Sequence, residues 1–130
     1  MARRLSAILD TSVLIATDEQ GDLELPETAA ISVITLGELR AGVLRARDAQ
    51  VRAARVRRLR AVRAAFAALP VDDEVADRYG EALAAARDRG RSAKATDLLI
   101  IATAAATGRT LYTLDQAQAG FARELRVPVA

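Results

Sequence analysis

The chain has 130 residues, a net charge of +2 and an estimated pI of about 9.6. That is enough for one domain burying roughly two-thirds of its unfolded surface. It has no Cys, no His and no Trp, which excludes disulfides, Cys or His metal sites and every His-based triad.

Leu5–Leu9 is a short apolar run ending in Asp10, the pattern of a strand buried on both faces. Arg3-Arg4 before it imitates a signal peptide, but Asp10 interrupts the apolar run. No stretch approaches the roughly 18 apolar residues of a membrane span. The chain reads as a soluble cytoplasmic protein with no membrane partner. A helix opens at Ser12 and runs to about Ala16. Residues 20–28 hold Gly21, Pro26 and three acids and read as a loop. Ala29–Ser32 is a second strand. Thr35–Leu44 starts a helix, and Thr35 with Glu38 fits a capping box.

Ala49–Leu69 predicts a further helix, with Val56, Leu59, Val62, Phe66 and Leu69 at helical spacing. From Arg40 to Arg63 there are nine Arg and one acid, Asp48. Such a surface attracts polyanions, or is a solvated face whose Arg stems cover apolar atoms. Pro70-Val71 suggests a short third strand. Asp72 caps a helix running to Asp88 and stopped by Gly90. Thr96–Thr107 is apolar nearly all round, a buried helix closed by Gly108. Thr110–Leu114 is a fourth strand, Gln116–Glu124 a short helix and Val127–Val129 a possible edge strand. The alternation predicts an α/β fold over residues 1–130. It is one domain with a parallel sheet of four or five strands and helices on both faces.

Asp10, Glu38, Asp97 and Asp115 each stand where a strand yields to a helix or where a helix begins. In a parallel sheet those junctions share one edge. Each acid alone has a structural explanation as a cap or a helix-dipole partner. Together they repel: two carboxylates about 4 Å apart cost roughly 4 kcal/mol at an effective dielectric near 20. A divalent cation is the simplest remedy, and oxygen ligands suit Mg²⁺ or Mn²⁺. Arg91 and Lys94 precede Asp97, while Arg57 and Arg60 point away from the Leu59 side of their helix. All four are candidate contacts to the phosphates of a nucleic acid.

The segments around these acids carry a family resemblance. Asp10-Thr11-Ser12-Val13-Leu14-Ile15, Ser32 to Leu39 followed by Gly42, Asp97 to Ala104, and Leu111-Tyr112-Thr113-Leu114-Asp115 resemble the successive motifs of the PIN domain. The likeness is greatest to the VapC ribonuclease toxins of bacterial toxin–antitoxin pairs, and it covers essentially the whole chain in order. It implies an endoribonuclease dependent on Mg²⁺ or Mn²⁺. Asp10 and Asp97 would ligate the metal directly, Glu38 would hold metal-bound water or a second ion, and Asp115 would complete the cluster. Thr11, Ser12 and Thr113 match the pocket hydroxyls. Many relatives place the last acid further from the Thr than Asp115 stands from Thr113. The resemblance also implies a cognate antitoxin that plugs the acidic pocket, and a homodimer.

Two alternatives compete. A non-catalytic PIN-like RNA-binding module would have lost acids that are intact here. A receiver-type Mg²⁺-binding signalling domain would need paired acids after the first strand, where Asp10 stands alone, and a Lys after the last. A haloacid-type phosphatase needs Asp-x-Asp, which Asp10-Thr11-Ser12 lacks.

Overall fold

The computed structural model describes residues 6–20, 25–26 and 28–130. The expected strand start at Leu5 and most of the expected loop at 20–28 lie outside the described residues. The elements run β1 (Ser6–Leu9), α1 (Thr11–Gln20), β2 (Thr28–Ser32), α2 (Val33–Leu44), α3 (Ala49–Ala65), β3 (Ala67–Leu69), α4 (Asp73–Asp88), α5 (Ala95–Thr107), β4 (Thr110–Tyr112) and α6 (Gln116–Glu124).

The four strands form one sheet in the order β3-β2-β1-β4, and every pairing is parallel. Successive side chains of a strand point to opposite faces. Ile8 of β1 therefore enters one core with Ala30 and Leu111, covered by Ala82 and Ala86 of α4, Ile100, Ile101 and Ala104 of α5, and Phe121 of α6. Ala7 and Leu9 enter a second core with Ile31, covered by Val13 and Leu14 of α1, Leu39 and Val43 of α2, and Leu59 and Val62 of α3. Helices thus lie on both faces, as the unbroken apolar run of β1 requires. The fifth strand reduces to a single parallel bridge between Leu111 and Val129. Pro128 sits on this edge and still accepts a hydrogen bond from Leu111 N at 2.8 Å.

Three expectations are corrected. The third strand is Ala67–Leu69, not Pro70-Val71, and α3 stops at Ala65. Leu69 continues the helical spacing, yet Phe66 already has extended angles (φ −129°, ψ 140°). Pairing of Ala67, Ala68 and Leu69 with β2 takes the segment instead. Thr35 is not a cap: Ser32 caps α2, its side chain accepting from Ile34 N, and Thr35 lies fully buried in the first turn. Helix α1 is also longer than its short apolar start suggested, reaching Gln20. The caps predicted for α4 and α6 are present: Asp72 accepts from Val75 N and Asp115 from Gln118 N. Gly108 closes α5 in the left-handed conformation (φ 64°), where glycine alone avoids a steric penalty.

Candidate active site

Strand order reverses at β1, since the chain moves outward through β2 and β3 and returns across to β4. The crevice beyond the carboxyl ends of the two strands at such a switch is where parallel sheets bind ligands. Asp10 follows β1 and donates its N–H to Tyr112 O of β4 at 2.8 Å. It is fixed at that point by the sheet itself.

The Asp10 side chain is 6% exposed. A buried carboxylate needs hydrogen-bond donors, and Asp10 has them. Its Oδ2 accepts from Ser12 N at 3.1 Å and Ser12 Oγ at 2.6 Å, with Thr113 Oγ1 3.3 Å away; its Oδ1 accepts from Gln118 Nε2 at 3.3 Å. Glu38, on the buried side of α2, accepts from Thr11 Oγ1 at 2.7 Å. Asp97 lies in the first turn of α5, next to amide donors that the cap residue Lys94 leaves unserved by any side chain. Asp115 caps α6 with Oδ1. Thr11, Ser12 and Thr113 all donate to or contact the acids, as the sequence motifs imply.

The acids feel one another. Burial pushes the Asp97 carboxyl above its ordinary value of 3.8, and the charges of Asp10, Asp115 and Glu38 push it further up, against a smaller pull downward from Lys94. Four carboxylates scattered over the chain therefore share one field. Among the described residues no three carboxylates already stand close enough to grip one ion. Three of the acids are instead bonded to donors of the protein, Glu38 to Thr11, Asp115 to its own helix and Asp10 to Ser12 and Gln118. The donor set is all oxygen and carries excess negative charge, which fits Mg²⁺ or Mn²⁺.

That raised acid makes a pH prediction for the metal-free protein. Asp97 binds its proton more tightly folded than unfolded, so it costs stability as pH rises from about 3.8 through the folded pKa, and the cost is constant above it. Asp97→Asn is therefore expected to melt a few degrees higher than the parent at pH 7 in EDTA. The difference should shrink as pH falls towards the ordinary carboxylate range. Parallel melting curves of the two proteins from pH 3.5 to 8 check this; a constant difference contradicts it.

Two cavities flank the acids. One, of about 400 Å³, lies between α1, α2 and α3 and is lined by Thr11, Glu38, Gly42, Val51, Arg55 and Arg58, among others. The other, of about 220 Å³, is lined by Arg91, Lys94, Asp97, Asp115, Gln118 and Phe121, among others. The candidate phosphate contacts thus divide. Arg91 and Lys94 border the second cavity, with Arg91 also paired to Glu124 at 2.6 Å and set over the Phe121 ring. Arg57 and Arg60 are exposed on α3 and line neither cavity. The arginines that line the cavity with Glu38 are Arg55, bonded to Gly42 O at 2.7 Å, and Arg58, paired with Asp18 at 2.9 Å. Neither was singled out from the sequence; Arg55, one turn before Leu59, falls on the side that the apolar spacing identifies, while Arg58 does not stand out by spacing alone. The sequence reading also missed the site role of Gln118, a buried amide among the acids.

The family model of the PIN domain matches residues 7–124. The chain belongs to the PIN domain family. Its sequence is similar to Ribonuclease VapC5 of Mycobacterium tuberculosis, 38% identical over 113 residues, which cover 85% of this chain and 83% of that protein. Ribonuclease VapC8 of the same organism is 43% identical over 100 residues, 75% of this chain and 88% of that protein. The crystal structure of VapBC-5 from Mycobacterium tuberculosis, a member of the VapBC family of toxin–antitoxin systems, superposes with a TM-score of 0.80. It is 35% identical, and 96% of each chain is covered. Membership in the PIN family displaces the receiver-type alternative. No described helix of this PIN domain is long and apolar enough to cross a membrane.

Proposed function

We propose that the chain is the ribonuclease toxin of a toxin–antitoxin pair, an endoribonuclease that cleaves RNA phosphodiesters with a divalent metal at the β1/β4 edge. The observation that carries this reading is the meeting of Asp10, Asp97 and Asp115 at Gln118, whose amide bonds the Asp10 carboxylate and the Asp97 carbonyl and whose backbone N–H bonds the Asp115 carboxylate. The relatives named as VapC ribonucleases and the VapBC-5 structure support it.

In this reading Asp10 and Asp97 hold Mg²⁺ or Mn²⁺ directly, with Glu38 and Asp115 completing the set. A divalent metal held by these residues would supply the chemistry of a lowered water pKa and of charge neutralisation at the leaving oxygen. The residues of the chain do the rest. Ser12 and Gln118 orient Asp10 through donors on both of its oxygens. The Thr11 hydroxyl donates a hydrogen bond to Glu38 and holds that carboxylate at the wall of the larger cavity. Lys94 and Arg91, at the edge of the smaller cavity, are positioned to hold phosphates flanking the scissile one. Arg57 and Arg60, on the outer face of α3, would meet RNA beyond the cleavage point or the antitoxin instead. A cytoplasmic location, a homodimer and an antitoxin whose cationic side chain neutralises the acids complete the proposal.

Two measurements test it. The purified protein should cut a structured RNA at few positions in Mg²⁺ and stop cutting in EDTA. Its expression alone should arrest bacterial growth, and co-expression of a neighbouring antitoxin gene should restore it. RNA left intact at saturating Mg²⁺ and Mn²⁺, together with unimpaired growth, overturns the proposal.

A further inference from the structure

Gln118 is a buried polar side chain, 4% exposed, in the first turn of α6. It touches three of the four acids. Its backbone N–H donates to Asp115 Oδ1 at 3.0 Å, and its Nε2 donates to Asp10 Oδ1 at 3.3 Å and to the Asp97 carbonyl at 3.4 Å. Its Oε1 accepts from Thr113 Oγ1 at 2.6 Å. A cap residue needs none of the last three contacts, since the helix is already served by Asp115.

Proton counting shows what the amide does. A hydroxyl has one proton. Thr113 Oγ1 is 2.6 Å from Gln118 Oε1 and 3.3 Å from Asp10 Oδ2, so its proton goes to Gln118. Asp115 N, at 3.1 Å, donates to the same hydroxyl from the other side. Only one orientation of the amide then satisfies its neighbours. Turned over, it would set Oε1 against the Asp10 carboxylate and NH₂ against a donating hydroxyl. Asp10 offers about four lone-pair positions. Ser12 N and Ser12 Oγ take both on Oδ2, and Gln118 takes one on Oδ1.

We infer that Gln118 is a positioning residue: locked by Thr113, its amide orients Asp10 so that one Oδ1 lone pair remains for a cation, and it ties the starts of α5 and α6 to that carboxylate. The inference rests on the metal-dependent reading above. Partners that orient metal ligands from behind typically change metal affinity 10–100-fold when lost, by the general rule for such contacts.

Calorimetric titration of the full chain with Mn²⁺, in the absence of RNA, tests it. Gln118→Met keeps length and volume but has no amide, and is expected to bind Mn²⁺ about tenfold more weakly than the parent. Thr113→Val removes the hydroxyl that locks the amide and is expected to weaken binding to a similar extent. The double variant should be no weaker than either single one, because both break one relay; independent packing defects would instead multiply to about a hundredfold. An unchanged Mn²⁺ affinity in Gln118→Met, beside a parent that binds, overturns this inference alone, and so does a multiplicative double variant. A parent that takes up no Mn²⁺ overturns the metal-dependent reading and the inference with it. If Gln118→Met does not fold, Thr113→Val decides: an unchanged affinity there overturns the relay.

Discussion

Replacing Asp10 or Asp97 by Asn is expected to slow RNA cleavage about a thousandfold or more while the fold persists. Asn keeps the shape and one oxygen but loses the charge that holds a divalent cation. The cation supplies several kcal/mol of stabilisation to the transition state, and each step of about 1.4 kcal/mol is tenfold in rate. The two variants should differ in stability, which separates loss of chemistry from loss of structure. Asp10 accepts donors on both oxygens, so an amide at this position sets its own NH₂ against a donor. That costs about 1–3 kcal/mol, the usual penalty for an unmet buried group. Asp97→Asn removes repulsion from Asp10, Asp115 and Glu38 and should melt no lower than the parent without metal. Single-turnover cleavage at saturating Mg²⁺, beside circular dichroism and melting curves, reads both quantities. Undiminished cleavage by Asp10→Asn would assign the activity to another protein in the preparation.

Saturating Mn²⁺ or Mg²⁺ should raise the melting temperature, and EDTA should reverse the change. At free metal about 100 times Kd, binding to the folded state alone contributes about 2.7 kcal/mol. With about 2.1 cal/mol/K of unfolding entropy per residue, that is roughly 10 °C for a domain of this length. Relief of repulsion around Asp97 is part of the gain, because burial and then the charges of Asp10, Asp115 and Glu38 raise its pKa, and a cation would offset those charges. Asp97→Asn should lose most of the metal response, starting from an equal or higher metal-free value. The two effects of one substitution then have opposite signs, a pattern that general destabilisation does not produce. A melting curve unmoved by saturating Mn²⁺ in the parent protein would remove the metal from the site.

What the linear sequence determined were features set by neighbours along the chain. Helix α5 was legible because Leu98, Ile100, Ile101, Ala102 and Ala104 make an apolar helix, and Gly108 permits its left-handed end. Asp72 and Asp115 declared their caps because the bonds close within three residues. The four acids at element junctions were visible because a parallel sheet gathers such junctions on one edge.

The tertiary structure alone decided whatever depends on partners far along the chain. Ala67–Leu69 became a strand because β2 offered unpaired backbone groups, against a helical spacing that ran through Leu69. Ser32 replaced Thr35 as a cap because β2 ends there and Thr35 is drawn into the core beside Thr11. Arg55 and Arg58, rather than Arg57 and Arg60, line the cavity that holds Glu38, because α3 packs its Leu59 and Val62 side into the core. Gln118 became part of the acidic site through a hydrogen bond to a residue 108 positions away. Local propensity acts over one or two turns of chain, whereas a buried carboxylate takes its donors from whatever the fold brings within about 3 Å. For Asp10 the Ser12 donors are local, but the donor to Oδ1, Gln118 Nε2, comes from α6 at the other end of the sequence.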